Sequence, residues 1–177
     1  MTSHRLLLLR HAKSSHKDTS LVDFERPLAK RGRKDCRRMA KWLKSEGLIP
    51  DLIISSPAER TRQTTERICK QIDYPLENVQ WEDSVYDATT RTLLKLLTDV
   101  PEEIETVMIV GHHEGLTGLI LRMSAWADIP AEPKLIPTGA VAWLNIKGPW
   151  VGVKKCQAQL KSITRPRELA ARKSKKR

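Results

Sequence analysis

The stretch Arg5-Leu6-Leu7-Leu8-Leu9-Arg10-His11 decides the fold. Four successive leucines leave no wet face, so the segment reads as a strand covered by helices on both sides rather than a half-exposed one. The run is far shorter than the roughly 20 apolar residues of a membrane span, and too short for a signal-peptide core. Similar apolar runs recur at 52–54, 107–110 and 141–146, and a weaker strand passes through Val79 and Trp81.

Amphipathic segments separate these strands. Residues 28–45 carry Cys36, Met39, Ala40 and Leu43 at three- and four-residue spacings, with Arg and Lys opposite, and stop near Gly47. A second helix opens after Ser56 as its cap, with Pro57 in its first turn and Ile68 and Ile72 inward. A third spans 90–98 and a fourth 116–126, the latter followed by a loop with Pro130, Pro133 and Pro137 that is long enough to sit over a site. Alternating strand and helix of this kind predicts an α/β fold, a three-layer α/β/α sandwich around a mostly parallel central sheet.

With 177 residues, 40% hydrophobic and 30% charged, the chain has material for one domain. The net charge of +11 is unevenly spread. Residues 1–153 hold 22 Lys and Arg against 20 Asp and Glu, whereas 154–177 hold 10 against Glu168 alone. The expectation is therefore a domain over 1–153 and a basic, flexible tail over 154–177, free to make weak anionic contacts. Cys36, Cys69 and Cys156 are too far apart in sequence for a CxxC pair and read as reduced thiols of a cytoplasmic protein.

In a parallel sheet, ligands bind beyond the carboxyl ends of the strands. Three such ends carry chemistry: Leu9-Arg10-His11, Ser55-Ser56-Pro57 leading into Arg60, and Val110-Gly111-His112. Arginines brought close together repel, and their natural complement is a dianion whose oxygens match the guanidinium fork, a phosphoryl group. With phosphate held, neutral His11 can act as nucleophile, while Arg10, Arg60 and a protonated His112 stabilise the charge spread over the equatorial oxygens. Gly111 gives the backbone room beside the transferring group. The adjacent pair His112 and His113 lacks a third ligand at useful spacing, so neither a metal nor a cofactor is expected.

These pieces, together with Ala12-Lys13, Arg26-Pro27-Leu28, Arg31-Gly32 and Gln63-Thr64, resemble the histidine phosphatase superfamily and its phosphoglycerate mutase-like fold. Within it they are most similar to the small SixA-like phosphohistidine phosphatase branch. The resemblance covers residues 5–146. It implies His11 as the phosphorylated nucleophile, Arg10 and Arg60 as phosphate clamps, and His112 as the second pocket histidine. Arg31-Gly32 is assigned to helix packing. The family's frequent Asn-Pro after Gly-His is His113-Glu114 here, a change at the pocket rim.

Larger members of the superfamily protonate the leaving group with a carboxylate in the region resembling 82–87. Ser84 stands where that Glu would be, leaving Glu82, Asp83 and Asp87 as candidate general acids. A weakened acid suits a leaving group that departs easily, which favours phosphohistidine on a protein, with a small phosphomonoester or acyl phosphate as the alternative substrate. Lys13, Ser14 and Arg26 are candidate substrate contacts. A reading of another class, a protein that binds nucleic acid or an anionic surface, rests on the basic tail alone.

Overall fold

The computed structural model describes residues 3–153 and 158–174. Strands β1 (Ser3–Arg10), β2 (Leu52–Ser55), β3 (Gln80–Trp81), β4 (Thr106–Gly111), β5 (Val141–Lys147) and β6 (Ala158–Thr164) form one sheet in the order β3-β2-β4-β1-β5-β6. The first four in that order are parallel, and β5 and β6 join antiparallel. The helices are α1 (Lys30–Ser45), α2 (Glu59–Ile72), α3 (Thr90–Thr98), α4 (His113–Met123) and α5 (Pro166–Ser174).

The leucine run works as its composition requires. Leu7 and Leu9 join Ile53, Met108 and Val110 under Met39, Leu43 and Ile68 of α1 and α2. Leu6 and Leu8 face the other way, with Ile54, Val107 and Ile109 under Leu93, Leu97, Leu116 and Ile120 of α3 and α4. All four leucines are buried, so the alternation of a strand is present but both destinations are dry. Gly32 lets α1 lie against the backbone that follows β1: a Cβ there would stand 2.3 Å from the Lys13 carbonyl oxygen.

Three expectations are corrected. α2 begins at Glu59 with Ala58 as its N-cap, so Pro57 lies outside the helix, and the Ser56 hydroxyl, which accepts from the Ala58 N–H at 3.3 Å, is directed to His112 as well. α4 begins at His113, three residues earlier than its leucines indicate, because His113-Glu114-Gly115 complete its first turn. The segment expected to be a flexible tail contributes β6 and α5 over 158–174. An edge strand needs apolar residues on one face only. Ala158, Leu160 and Ile163 supply them against the α3/α4 core, and buried Arg165 pairs with Glu132 and Glu168 at 2.9 and 3.0 Å. Residues 154–157, among them Cys156, and 175–177 lie outside the described residues.

Cys36 and Cys69 are buried and free, and burial pushes their thiols up to about 12 and about 11. Among the described residues no helix is long and apolar enough to cross a membrane.

Replacing Gly32 by Ala forces a methyl against rigid backbone, and the expected cost is about 1–3 kcal/mol. Thermal or denaturant unfolding checks it; an unchanged melting temperature would mean that α1 is free to move away from residue 13.

Candidate active site

Strand register delivers the chemistry to one edge. Arg10 pairs with Gly111 across β1 and β4, and Ser55 pairs with Val110 across β2 and β4, so Arg10-His11, Ser55-Ser56 and Gly111-His112 leave the sheet side by side. The next helices then start at once, carrying Arg60 in the first turn of α2 and His112 as the N-cap residue of α4.

His11 is buried, with Nδ1 2.8 Å from the Ala12 carbonyl. A carbonyl only accepts, so Nδ1 carries the hydrogen and Nε2 keeps its lone pair. That lone pair faces Arg60, whose Nε donates to it at 3.3 Å. Burial, with the nearby charges of Arg60 and Arg10 and the His112 ring, pushes the His11 imidazole down to about 3, against the opposing pull of the Ala12 hydrogen bond. It is neutral at ordinary pH.

The Arg60 guanidinium is also buried and spends its other nitrogens on two partners. Nη1 donates to the Asp23 carbonyl at 2.6 Å, and Nη2 to Asp23 Oδ2 at 2.8 Å and to His112 Nδ1 at 3.3 Å. Asp23 sits in a single 3-10 turn, 23–25, and also accepts from the Tyr86 hydroxyl at 2.8 Å and from Arg26 Nη2 at 2.6 Å. Partial burial works against its charge, but the Tyr86 hydrogen bond and the two guanidiniums prevail and hold the carboxyl at about 2. Tyr86 stands edge-on to His112, with ring centroids 5.3 Å apart.

His112 places Nε2 3.0 Å from the Ser56 hydroxyl, and its ring centroid is 5.4 Å from that of His11. Burial and then Arg60 bring it down to about 4, with Asp23 opposing. The expected imidazolium is therefore a neutral ring in the free site, since burial and then the charge of Arg60 disfavour its protonation. Arg10 donates from Nη1 to the Ile136 carbonyl at 3.1 Å, which ties in the proline-containing loop, while its buried Nε has no partner among the described residues. Burial lowers Arg10 from its usual value, with Glu114 pulling the other way.

A cavity of about 250 Å³ opens beside Arg60 and His112, lined also by Asp23, Tyr86, Asp87 and Glu114; Arg10 and His11 are not among its lining residues. Of the three carboxylates read from sequence as acids, only Asp87 reaches it. Glu82 turns back to accept from the Ser84 N–H and hydroxyl at 3.2 and 2.7 Å and lines a separate cavity, and Asp83 is exposed outside the site. Ser14 is buried and its backbone bridges to Leu28. Lys13 is exposed, and half-buried Arg26 is engaged with Asp23 and the His16 ring. A Cβ on Gly111 would point to Val85 at 3.2 Å and Leu116 at 3.7 Å, so the glycine makes room for the core, not for the transferring group.

The sequence does not single out Asp23 and Tyr86 as parts of the site, whereas Glu114 stands at the rim that it indicates. The Asp three residues before Arg26 and the Tyr beside Asp87 were signals of the right type, but both lie far in sequence from the strand ends. The resulting set holds two guanidiniums and a neutral imidazole whose Nε2 accepts from Arg60, with Asp23 paired to Arg60 and Glu114 acting on Arg10. Guanidiniums of this kind match the oxygens of a compact dianion.

The chain is also similar to known proteins. The family model described as "Histidine phosphatase superfamily (branch 1)" matches residues 6–84. A chloroplastic Arabidopsis thaliana protein is 40% identical over 121 residues, 64% of this chain and 56% of that relative, so the chain spans little more than half the length of that relative. SixA from Agrobacterium tumefaciens, a candidate phosphohistidine phosphatase, superposes with a TM-score of 0.74 at 27% identity, covering 91% of this chain and 97% of that one. SixA from Nakamurella multipartitia gives 0.77 at 24% identity, covering 94% and 98%.

The two depressed imidazoles have a consequence for stability. Unfolding returns both to about 6.5, so below that pH the unfolded chain binds more protons than the folded one. Stability fully present above pH 6.5 is lost as pH falls toward about 4 and about 3, the values of His112 and His11. Asp23 adds nothing through most of that window, because its own loss begins only near pH 3.9 and below. Nitrogen-detected NMR is expected to show both rings neutral at pH 5.5; a midpoint near 6.5 for either would contradict the buried, cation-flanked site.

Proposed function

The chain belongs to the histidine phosphatase superfamily, and on that premise we propose that it hydrolyses phosphohistidine on a protein by way of a phosphoryl group carried on His11. Arg10 and Arg60 clamp the incoming dianion. The His11 Nε2 lone pair forms the new N–P bond while the substrate's own N–P bond breaks, and the departing imidazole takes its proton from solvent. A water then attacks phosphorus, the bond to Nε2 breaks, inorganic phosphate leaves and His11 returns neutral. The hydrogen bond from Nδ1 to Ala12 holds the tautomer throughout and steadies the positive charge that the ring acquires when phosphorylated.

The observation that carries this role is the pairing of a fixed, neutral imidazole with a guanidinium that donates to its unprotonated nitrogen at 3.3 Å. The positive charge the reaction needs comes from arginine, without a metal. Two features favour a phosphohistidine protein over a phosphosugar. The carboxylate nearest the clamp, Asp23, is held ionised at about 2 and does not serve as a proton donor near neutral pH, a smaller handicap when imidazole is the leaving group. The turn that carries Asp23 also exposes Val22 and Phe24, apolar side chains at the rim that fit a macromolecular partner better than a sugar.

Steady-state assays on a phosphohistidine peptide, an acyl phosphate and a sugar phosphate test both parts. His11→Ala is expected to abolish turnover, and Arg60→Ala to lower kcat/KM by about 10²–10³. The wild-type chain is expected to prefer the peptide. Activity that survives His11→Ala would overturn the mechanism, and a preference for the sugar phosphate would overturn the substrate class.

A further inference from the structure

The even charge balance of residues 1–153 conceals a polarised surface. Helix α1 contains eight Lys and Arg and a single acid, Asp35, a net of +7 within a segment whose total is +2. Everything else in that segment is therefore net negative by 5. The cations do not point everywhere. Beside α1, a groove of about 1060 Å³ runs between it and α2 and reaches Leu169 of α5, and eight of its thirteen lining residues are Lys or Arg against Glu46 alone.

Two of those eight are engaged: Arg38 pairs with Asp35 at 2.9 Å, and Arg33 donates to the Leu28 carbonyl at 2.8 Å. The other six, Lys30, Lys34, Arg37 and Lys41 of α1 with Arg67 and Lys70 of α2, are exposed and have no carboxylate within 4.0 Å among the described residues. Unpaired like charges facing one another across a groove repel, and among the described residues Glu46 is the one carboxylate that lines it. None belongs to the catalytic set.

We propose that this groove is a binding site for the sugar-phosphate backbone of a nucleic acid, separate from the active site and independent of the activity proposed above. Lys30, Lys34, Arg37 and Lys41 repeat at intervals of three and four residues and so form one row, about 16 Å long at 1.5 Å per residue. Arg67 and Lys70 supply the opposite wall. A protein partner is disfavoured by composition, because the centres of protein interfaces are depleted in charge and in Lys particularly. An anionic membrane is disfavoured by shape, since the cations surround a concavity and the exposed apolar side chains Phe24, Trp126 and Val151 lie outside it. The one aromatic in the groove, Trp42, is nearly buried, so bases have no stacking platform and recognition is of the backbone, without sequence preference.

Fluorescence anisotropy of the full chain with labelled duplex and single-stranded 20-mers of two unrelated sequences, over a range of salt concentrations, tests this. Binding is expected with both sequences alike, with log K falling linearly against log salt by about 0.9 for each duplex phosphate neutralised. The triple variant Lys34→Ala, Arg37→Ala, Lys41→Ala is expected to weaken duplex binding at least tenfold at moderate salt and to flatten that slope by about 3. Its melting temperature should stay near that of wild type, since all three side chains are exposed. The variant Arg91→Ala, Arg122→Ala, on the opposite helical layer, is expected to bind as wild type does. Undiminished binding by the triple variant, equal loss in the opposite-face variant, or capture by phosphatidylserine vesicles without any binding of nucleic acid would each overturn the proposal.

Discussion

A guanidinium taken out of water needs partners, and the partners given to Arg60 determine the rest of the site. Its single carboxylate, Asp23, compensates one charge, while Arg10 remains nearby with Glu114 as its main counterweight. Burial, helped by the charge of Arg60, keeps both imidazoles from protonating. The guanidinium that would hold the substrate thus adds to what keeps the nucleophile neutral. Asp23 also ties the 3-10 turn to α2 and, through the Tyr86 hydroxyl, to the segment after β3, so three separate stretches of chain fix one guanidinium.

The scaffold makes this possible by spending its best hydrophobic residues on strands that end together. β1, β4 and β2 are central, parallel and dry on both faces, which leaves little freedom for their carboxyl ends to move relative to one another. Gly32 and Gly111 serve the same purpose by close packing, one against the backbone at residue 13 and the other against Val85 and Leu116. Function is concentrated where that rigid edge meets loops, with Asp23 and the 85–88 segment lining a pocket beside Arg60 and His112.

The central strands and Arg10, His11 and His112 were legible because they follow a local rule, an apolar run that ends in a polar residue, and Arg60 because the helix that carries it opens just beyond such an end. The third helix was legible to the residue, 90–98, because Thr89 caps it and leucines repeat within it. Asp23 and Tyr86 were not, because their importance arises only from a contact 63 residues apart in sequence. β6 and α5 were missed for a different reason, since an edge strand and a helix that covers one corner need few apolar residues, and average polarity hides them. The same averaging hid the charge of α1, which disappears from a sum over 153 residues and is plain on one helix face.

The central claim is that a phosphoryl group passes through His11 while two guanidiniums hold it. Rapid quenching of the protein during turnover of a labelled phosphoryl donor, followed by peptide mapping, addresses it directly. The account predicts stoichiometric, acid-labile label on the peptide containing His11, absent from His11→Ala; label on another residue, or turnover with no trapped phosphoryl group at all, would contradict it.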